Sequence, residues 1–281
     1  MVLMMSNWLR VTKAVKCPIC EKPDWCMVSV DGKSAFCMRI ANENLQPNGG
    51  YIHKLGCGIE IKRLPRKQKK ADPICFAIWR DIVRDSIDKV DVSPLADELG
   101  VSRDSLNRLI VGYHRGLKCW TFPMCNGRYQ FIGIRTRGKG YKRAVRGSKN
   151  GLFIPRKPDD EELVIVEGPT DTAALLDIDI FAIGRASCNS CVNHTIEYVS
   201  RYCPKSIIIV ADNDEAKISN GKKYYPGQDG AIALAKALPY KDIPIKIIKP
   251  IRAKDAREWK QKGLTKELFY DVVKNTRRFM V

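Results

Sequence analysis

This chain of 281 residues is short of several things. It has no apolar run near the roughly 18 residues that span a bilayer, no signal-peptide core, and no basic amphipathic helix with an unbroken apolar face. Those absences argue against a membrane as its working surface and lead us to expect a soluble protein of the cytoplasm. No internal repeat and no low-complexity tail occurs. A Gly-x-x-x-x-Gly-Lys-Ser/Thr loop is missing too, so a motor of the phosphate-loop type is not expected. Acidic residues are scarce against basic ones, 31 Asp and Glu facing 49 Lys and Arg, for a formal charge of +18. Such a surplus calls for a polyanionic partner, with nucleic acid the first candidate and a merely solubilising basic surface the bland alternative.

Eleven cysteines are present, and their placement says more than their number. Cys17, Cys20, Cys26 and Cys37 fall in one short N-terminal stretch, while the others are scattered through apolar segments. In the absence of a secretory leader, clustered cysteines read as metal ligands and scattered ones as small core fillers. The same stretch, residues 1–61, carries Met27-Val28-Ser29-Val30 before Asp31-Gly32, the chemistry of a hairpin turn. Residues 62–73 begin with a run of Lys and Arg that has almost nothing to bury, and read as a solvated basic linker.

Residues 74–155 change character twice. Ile74, Ala77, Ile78 and Ile82 recur on one helical face. Leu95 to Leu99, the turn at Gly100 and a segment capped by Ser102 then suggest a helical hairpin. It resembles a helix-turn-helix, although an ordinary hairpin packed on its neighbour is the commoner outcome. From Trp120 to Ile154, short apolar runs broken by glycines predict an antiparallel sheet. Its polar positions are cationic, among them Arg128, Arg135, Arg137, Lys142 and Arg143. Charge of one sign on a sheet repels itself unless an anion lies against it, which favours a phosphate-binding face.

Residues 156–281 alternate strand and helix. Leu163–Val166, Phe181–Ile183, Ser206–Val210 and Ile243–Ile248 read as buried strands, with helices over Thr170–Leu176 and Gly230–Leu238. Strands this apolar need cover on both faces, the mark of a parallel sheet in an α/β domain. Glu167 follows one such strand, and Asp212 and Asp214 follow another. The crevice beyond the carboxyl ends of parallel strands is where ligands bind, so these acids are expected to converge. Carboxylates held together repel unless a divalent cation, Mg2+ or Mn2+, sits among them, and such a cation can serve phosphoryl chemistry.

At these residues the chain resembles a known family. Val164-Ile165-Val166-Glu167-Gly168-Pro169-Thr170-Asp171 followed by Ile207-Ile208-Ile209-Val210-Ala211-Asp212-Asn213-Asp214 is similar to the Toprim motif of DnaG-type primases, topoisomerases and related nucleases. The resemblance implies Glu167 as general acid/base and Asp212 and Asp214 as metal carboxylates, with Asp171 and Asp255 as further acidic members. Where the family has a second carboxylate after Asp255, this chain has Arg257, with Glu258 next to it. Lys217 to Tyr225 forms a basic insertion between the aspartates and Pro226-Gly227.

The flanking segments point to the primases. Phe122 to Phe153 is similar to their basic subdomain, which implies that Arg135 or Arg137, with Lys142, faces nucleotide or template. Cys17-Pro18-Ile19-Cys20, Cys26 and Cys37 resemble a variant of the primase zinc-binding module. Cys26 is the preferred remaining Zn2+ ligand, and His53 is its alternative. Cys188 and Cys191 have no second pair nearby and read as structural. The expected fold is thus α/β (α+β overall), a Toprim parallel sheet flanked by helices, preceded by the basic antiparallel sheet and the small zinc module. By resemblance to phage and mobile-element primase-like proteins, the implied activity is RNA primer synthesis on single-stranded DNA template from ribonucleoside triphosphates, with a separate replicative helicase as partner. A Toprim nuclease and a non-catalytic DNA-binding regulator built on residues 93–110 are the alternatives.

Overall fold

The computed structural model describes residues 8–47, 49–56, 76–156, 161–219, 222–239 and 242–280. The chain divides into two compact units, Met1–Asp72 and Pro73–Val281. The expected linker at 62–73 lies outside the described residues, as does Ile74. Among the described residues no helix is long and apolar enough to cross a membrane.

The first unit is a four-stranded antiparallel sheet in the order β1 (Trp8–Arg10), β2 (Met27–Ser29), β3 (Ser34–Cys37) and β4 (Tyr51–Lys54). The turn between β2 and β3 is the one expected at Asp31-Gly32. Gly32 adopts φ 70°, where a side chain would be strained, and Asp31 accepts from the Ser29 hydroxyl at 2.6 Å and from Lys33 N–H at 3.0 Å. The core under this sheet is small: Val11, Val28 and the thiols of Cys17, Cys26 and Cys37. So little apolar surface seldom holds a fold alone, and a bound metal is the usual remedy.

The second unit opens with α1 (Phe76–Ile87), α2 (Ser93–Leu99) and α3 (Arg103–Arg108). The buried side of α1 carries Trp79 and Val83, with Ile82 of the expected face packed partly buried beside them, whereas Ile78 of that face is exposed. The bulk of the Trp79 indole decides the matter, because it fills the space against Val83 and Ile134. Helices α2 and α3 form the expected hairpin, with Gly100 at φ 66° ending the first and the Ser102 hydroxyl capping the second at Ser105 N–H. Leu95, Leu99 and Leu106 are fully buried against Phe122, Met124 and Phe153. This is an ordinary packed hairpin, further tied by Ser102 to Asp177 and by Lys260 and Gln261 to the carbonyls of Gly100 and Leu99.

There follow β5 (Gly112–His114), β6 (Cys119–Cys125), β7 (Phe131–Gly138), β8 (Tyr141–Ala144), β9 (Leu152–Phe153), β10 (Glu162–Glu167), α4 (Pro169–Leu176), β11 (Ala182–Arg185), α5 (Val192–Tyr202) and β12 (Ser206–Val210). Then come β13 (Lys217–Ser219), β14 (Lys222–Tyr224), α6 (Pro226–Ala237), β15 (Ile245–Ile248), α7 (Ala256–Gln261) and α8 (Lys266–Asn275). Helix α6 starts at Pro226, four residues earlier than expected at Gly230, because proline is preset for a first turn. Sequence periodicity did not point to α5, α7 or α8.

One nine-stranded sheet runs through the unit in the order β15-β12-β10-β11-β9-β6-β7-β8, with β5 beside β6. Strands β15, β12, β10 and β11 are mutually parallel, and β9 joins them antiparallel to the basic strands. The result is a mixed α/β fold. Side chains alternate across the parallel strands: Ile165, Ile207 and Ile209 pack with Tyr198 and Leu234 on one face, and Val164, Val166 and Ile208 with Leu175, Trp259 and Phe269 on the other. Both faces are covered, which explains the unbroken apolar runs.

Candidate functional site

Strands β10 and β12 pair in parallel, with Ile165 opposite Ile209, so both finish at one edge of the sheet. Glu167 ends β10, and Asp212 and Asp214 lie just past β12. Gly168, at φ 83°, turns the chain sharply from β10 into α4 and brings Asp171 back to the same edge. From the far side, Asp255 caps α7, its Oδ1 accepting the N–H of Glu258 at 2.8 Å. All five carboxylates line a single cleft of about 330 Å³.

Arg135, Arg137 and Lys142 of the basic sheet line the same cleft, together with Lys254 and Arg257 from either side of Asp255 in the sequence. Arg135 is steadied by the Ala186 carbonyl at 3.0 Å and Arg137 by Glu98 at 2.6 Å. Arg143 is not among them. Neighbouring residues on a strand point to opposite sides, so where Lys142 faces the cleft, Arg143 lies exposed over the Tyr141 ring, 5.2 Å from its centre. Glu258 does not replace the missing acid either. Its carboxylate is taken by Lys254 N–H at 2.7 Å and by Lys262 at 2.7 Å.

The crowding shows in the acidities. Burial, then the charge of Asp255, pushes the Asp171 carboxyl up to about 7, even though it accepts Arg257 N–H at 3.0 Å. Asp212 rises to about 8, from burial first and then from Asp171, Glu167, Asp255 and Asp214. Carboxylates buried side by side favour their protonated forms unless positive charge lies among them. Among the described residues no three of these carboxylates form a group whose ligand atoms all lie within 4.8 Å of one another.

One nearby cation escaped the sequence reading. Arg185 ends β11 in register with Glu167 and is only 3% exposed. Its Nη1 donates to the Cys188 carbonyl at 2.8 Å, while its Nε has no acceptor among the described residues. Burial lowers the pKa of this guanidinium, and Glu167 opposes that shift. The clue was available: Arg185 closes a strand that is otherwise Phe181-Ala182-Ile183-Gly184, at the same edge as Glu167. Cys191 lies at the start of α5 with its thiol on the Gly151 carbonyl at 3.2 Å.

Beside the cleft lies a second hollow that shares Arg137 and Lys142 with it and is walled by Tyr113, Trp120 and Tyr141. The rings of Tyr113 and Trp120 meet edge to face at 5.0 Å.

In the first unit, Cys17, Cys20, Cys26 and Cys37 bring their sulfurs within 4.8 Å of one another, the one such group of metal-ligating side chains among the described residues. The Cys20–Cys26 and Cys26–Cys37 separations are 3.7 and 4.0 Å. Sulfurs about 2.3 Å from a tetrahedral Zn2+ stand roughly 3.8 Å apart, so the cluster fits that ion. Arg39 N–H and Ile40 N–H each reach Cys37 Sγ at 3.4 Å, and Arg39 Nη1 reaches Cys26 Sγ at 3.6 Å, the donor surroundings a thiolate needs. His53 is engaged elsewhere, with Nε2 at 3.0 Å from the Ile40 carbonyl. Burial raises the Cys17 and Cys26 thiols, the latter to about 12.

No family model matches the sequence, and no curated protein matches it. Solved structures do. The Aquifex aeolicus primase, zinc-binding and RNA polymerase domains, aligns over 99% of this chain and 81% of its own, at 12% identity and TM-score 0.55. The E. coli primase catalytic core aligns over 72% and 80%, at 17% identity and TM-score 0.54. A DnaG primase catalytic domain bound to single-stranded DNA aligns over 72% and 78%, at 17% identity and TM-score 0.55. The fold is therefore that of the DnaG-type primases, and it carries in addition an N-terminal four-cysteine cluster.

Proposed function

We propose that this chain is a DNA primase, making short RNA primers on single-stranded DNA by metal-dependent nucleotidyl transfer. The observation that carries the reading is the cleft itself, lined both by carboxylates from β10, α4, the β12 edge and α7 and by Arg135, Arg137 and Lys142. The fold supports it, and so does the structural neighbour that binds single-stranded DNA.

Asp212 and Asp214 would hold Mg2+ or Mn2+, with Glu167 at the adjoining strand end. Bound there, a divalent ion neutralises phosphoryl charge and orients the attacking hydroxyl. The protein's own groups do the rest. Arg135 and Arg137 present forked donors to the triphosphate, and Lys142 adds a point charge. Glu167, half-buried beside the cleft, is the base placed to take the proton of the primer hydroxyl. Asp171 fixes the start of α7 through Arg257 N–H and thereby positions Asp255. The aromatic hollow offers bases of the template a stacking surface. In the first unit the four thiols take Zn2+, which completes a small template-binding module. Free ribonucleotides and a separate helicase are the remaining partners.

The test offers single-stranded template, ribonucleotides and Mn2+ or Mg2+, and follows nucleic-acid length. New short products are expected, lost in Asp212→Asn and Asp214→Asn variants that keep the parent circular dichroism. Products made by the variants would refute the assignment. Shortening of the template without new product would point to a nuclease acting through the same carboxylates.

A further inference from the structure

The segment between Asp214 and α6 belongs to neither layer of its unit. β13 and β14 pair only with each other, Lys217 opposite Tyr224 and Ile218 opposite Lys223, as a separate two-stranded sheet. A lone hairpin is marginal in water, and this one also turns apolar surface outward. Ile218 is 79% exposed, Tyr224 37% and Tyr225 39%. Its charge has one sign: Lys217, Lys222 and Lys223 stand in a stretch, 217–225, that holds no acid.

The return leg is held at the carboxylate edge. The outgoing leg begins shortly after Asp214. On the return, Gly227 N–H donates to Asp214 Oδ2 at 3.0 Å and Tyr225 N–H to Asp229 Oδ2 at 2.8 Å. Position 227 must be glycine, because a Cβ there would lie 2.5 Å from the Asp212 carbonyl oxygen. The hairpin thus leaves and rejoins the chain next to Asp214, a residue of the cleft, with Lys223 Nζ 5.6 Å from the centre of the Tyr225 ring.

We propose that this hairpin is a binding arm for single-stranded nucleic acid, with Lys217 and Lys223 on phosphates and Ile218, Tyr224 and Tyr225 against bases. The carboxylates at the Asp212 and Asp214 end of the cleft repel phosphates, so a strand running past them is favoured by cations beside them. Exposed aromatic faces beside those cations add stacking, which any base can use when it is unpaired and none can use inside a duplex. The inference rests on the reading of the cleft as a nucleic-acid site, and its test is scored separately from that reading.

Fluorescence anisotropy with labelled oligothymidylate, and with its duplex, measures affinity over a range of salt for the full chain and two double variants. Lys217→Ser with Lys223→Ser is expected to lower the slope of log K against log salt by about 1.4, from roughly 0.7 per phosphate contact on a single strand. Tyr224→Ala with Tyr225→Ala is expected to weaken single-strand binding about tenfold at every salt concentration, leaving slope and duplex affinity alone. Unchanged slope and affinity in both variants, at parental thermal midpoints, would overturn the arm, as would an equal loss on duplex in the tyrosine variant. If the variants behave as expected while the intact chain makes no primers, the reading of the cleft fails and the arm stands.

Discussion

Asp171 and Asp212 owe their weak acidity to burial and to the acids crowded around them, and that has a consequence for stability. Their carboxyls titrate near 7 and 8 in the folded protein and near the ordinary Asp value when unfolded, so between those limits the folded state binds more protons. Stability must then fall as pH rises through that window, by up to about 1.4 kcal/mol per pH unit for each group. In chelator, the thermal midpoint is expected to drop between about pH 5 and pH 8, and Asp212→Asn to flatten the decline. A midpoint that rises with pH over that range would contradict burial and crowding as the cause. At this scale the sequence was readable where residues sit at strand ends, as Glu167, Asp212 and Asp214 do. It was less so for Arg143, whose side of β8 depends on register, and for Arg185, whose burial depends on what α5 and the Cys188 turn place over it.

Among the elements, the α2–α3 hairpin was legible because its stop and start are local chemistry, Gly100 and Ser102. What the hairpin touches was not, since Asp177 and Lys260 come from distant parts of the chain. Ser102 gives its hydroxyl to Asp177 Oδ1 at 2.6 Å and accepts Ser105 N–H at 3.1 Å, while Lys260 pairs with Asp177 at 2.9 Å. Ser102→Ala removes the cap and one donor contact to a buried carboxylate, and is expected to cost about 1–2 kcal/mol. Thermal or urea unfolding measures this, and a change within a few tenths of a kcal/mol would show that the cap is idle. Helix α1 illustrates the opposite case: several apolar residues shared its surface, and only tertiary packing of Trp79 selected which face turned inward.

For the whole molecule, the alternation of apolar strands and helices was enough to foresee a parallel sheet with acids at its carboxyl edge. It was not enough to foresee that the basic strands continue the same sheet through β9, which brings Arg135, Arg137 and Lys142 to the lining of the same cleft as the carboxylates. That continuity brings two sequence motifs, one cationic and one acidic, to the lining of one cleft. The proposed chemistry depends on acids from separate segments sharing a cation. Titration of the zinc-loaded protein with Mn2+, followed by the loss of free-ion electron paramagnetic resonance signal, tests this directly. The intact chain is expected to take up Mn2+ at a site that Asp212→Asn and Asp214→Asn each remove, whereas no uptake, or uptake untouched by both substitutions, would contradict it.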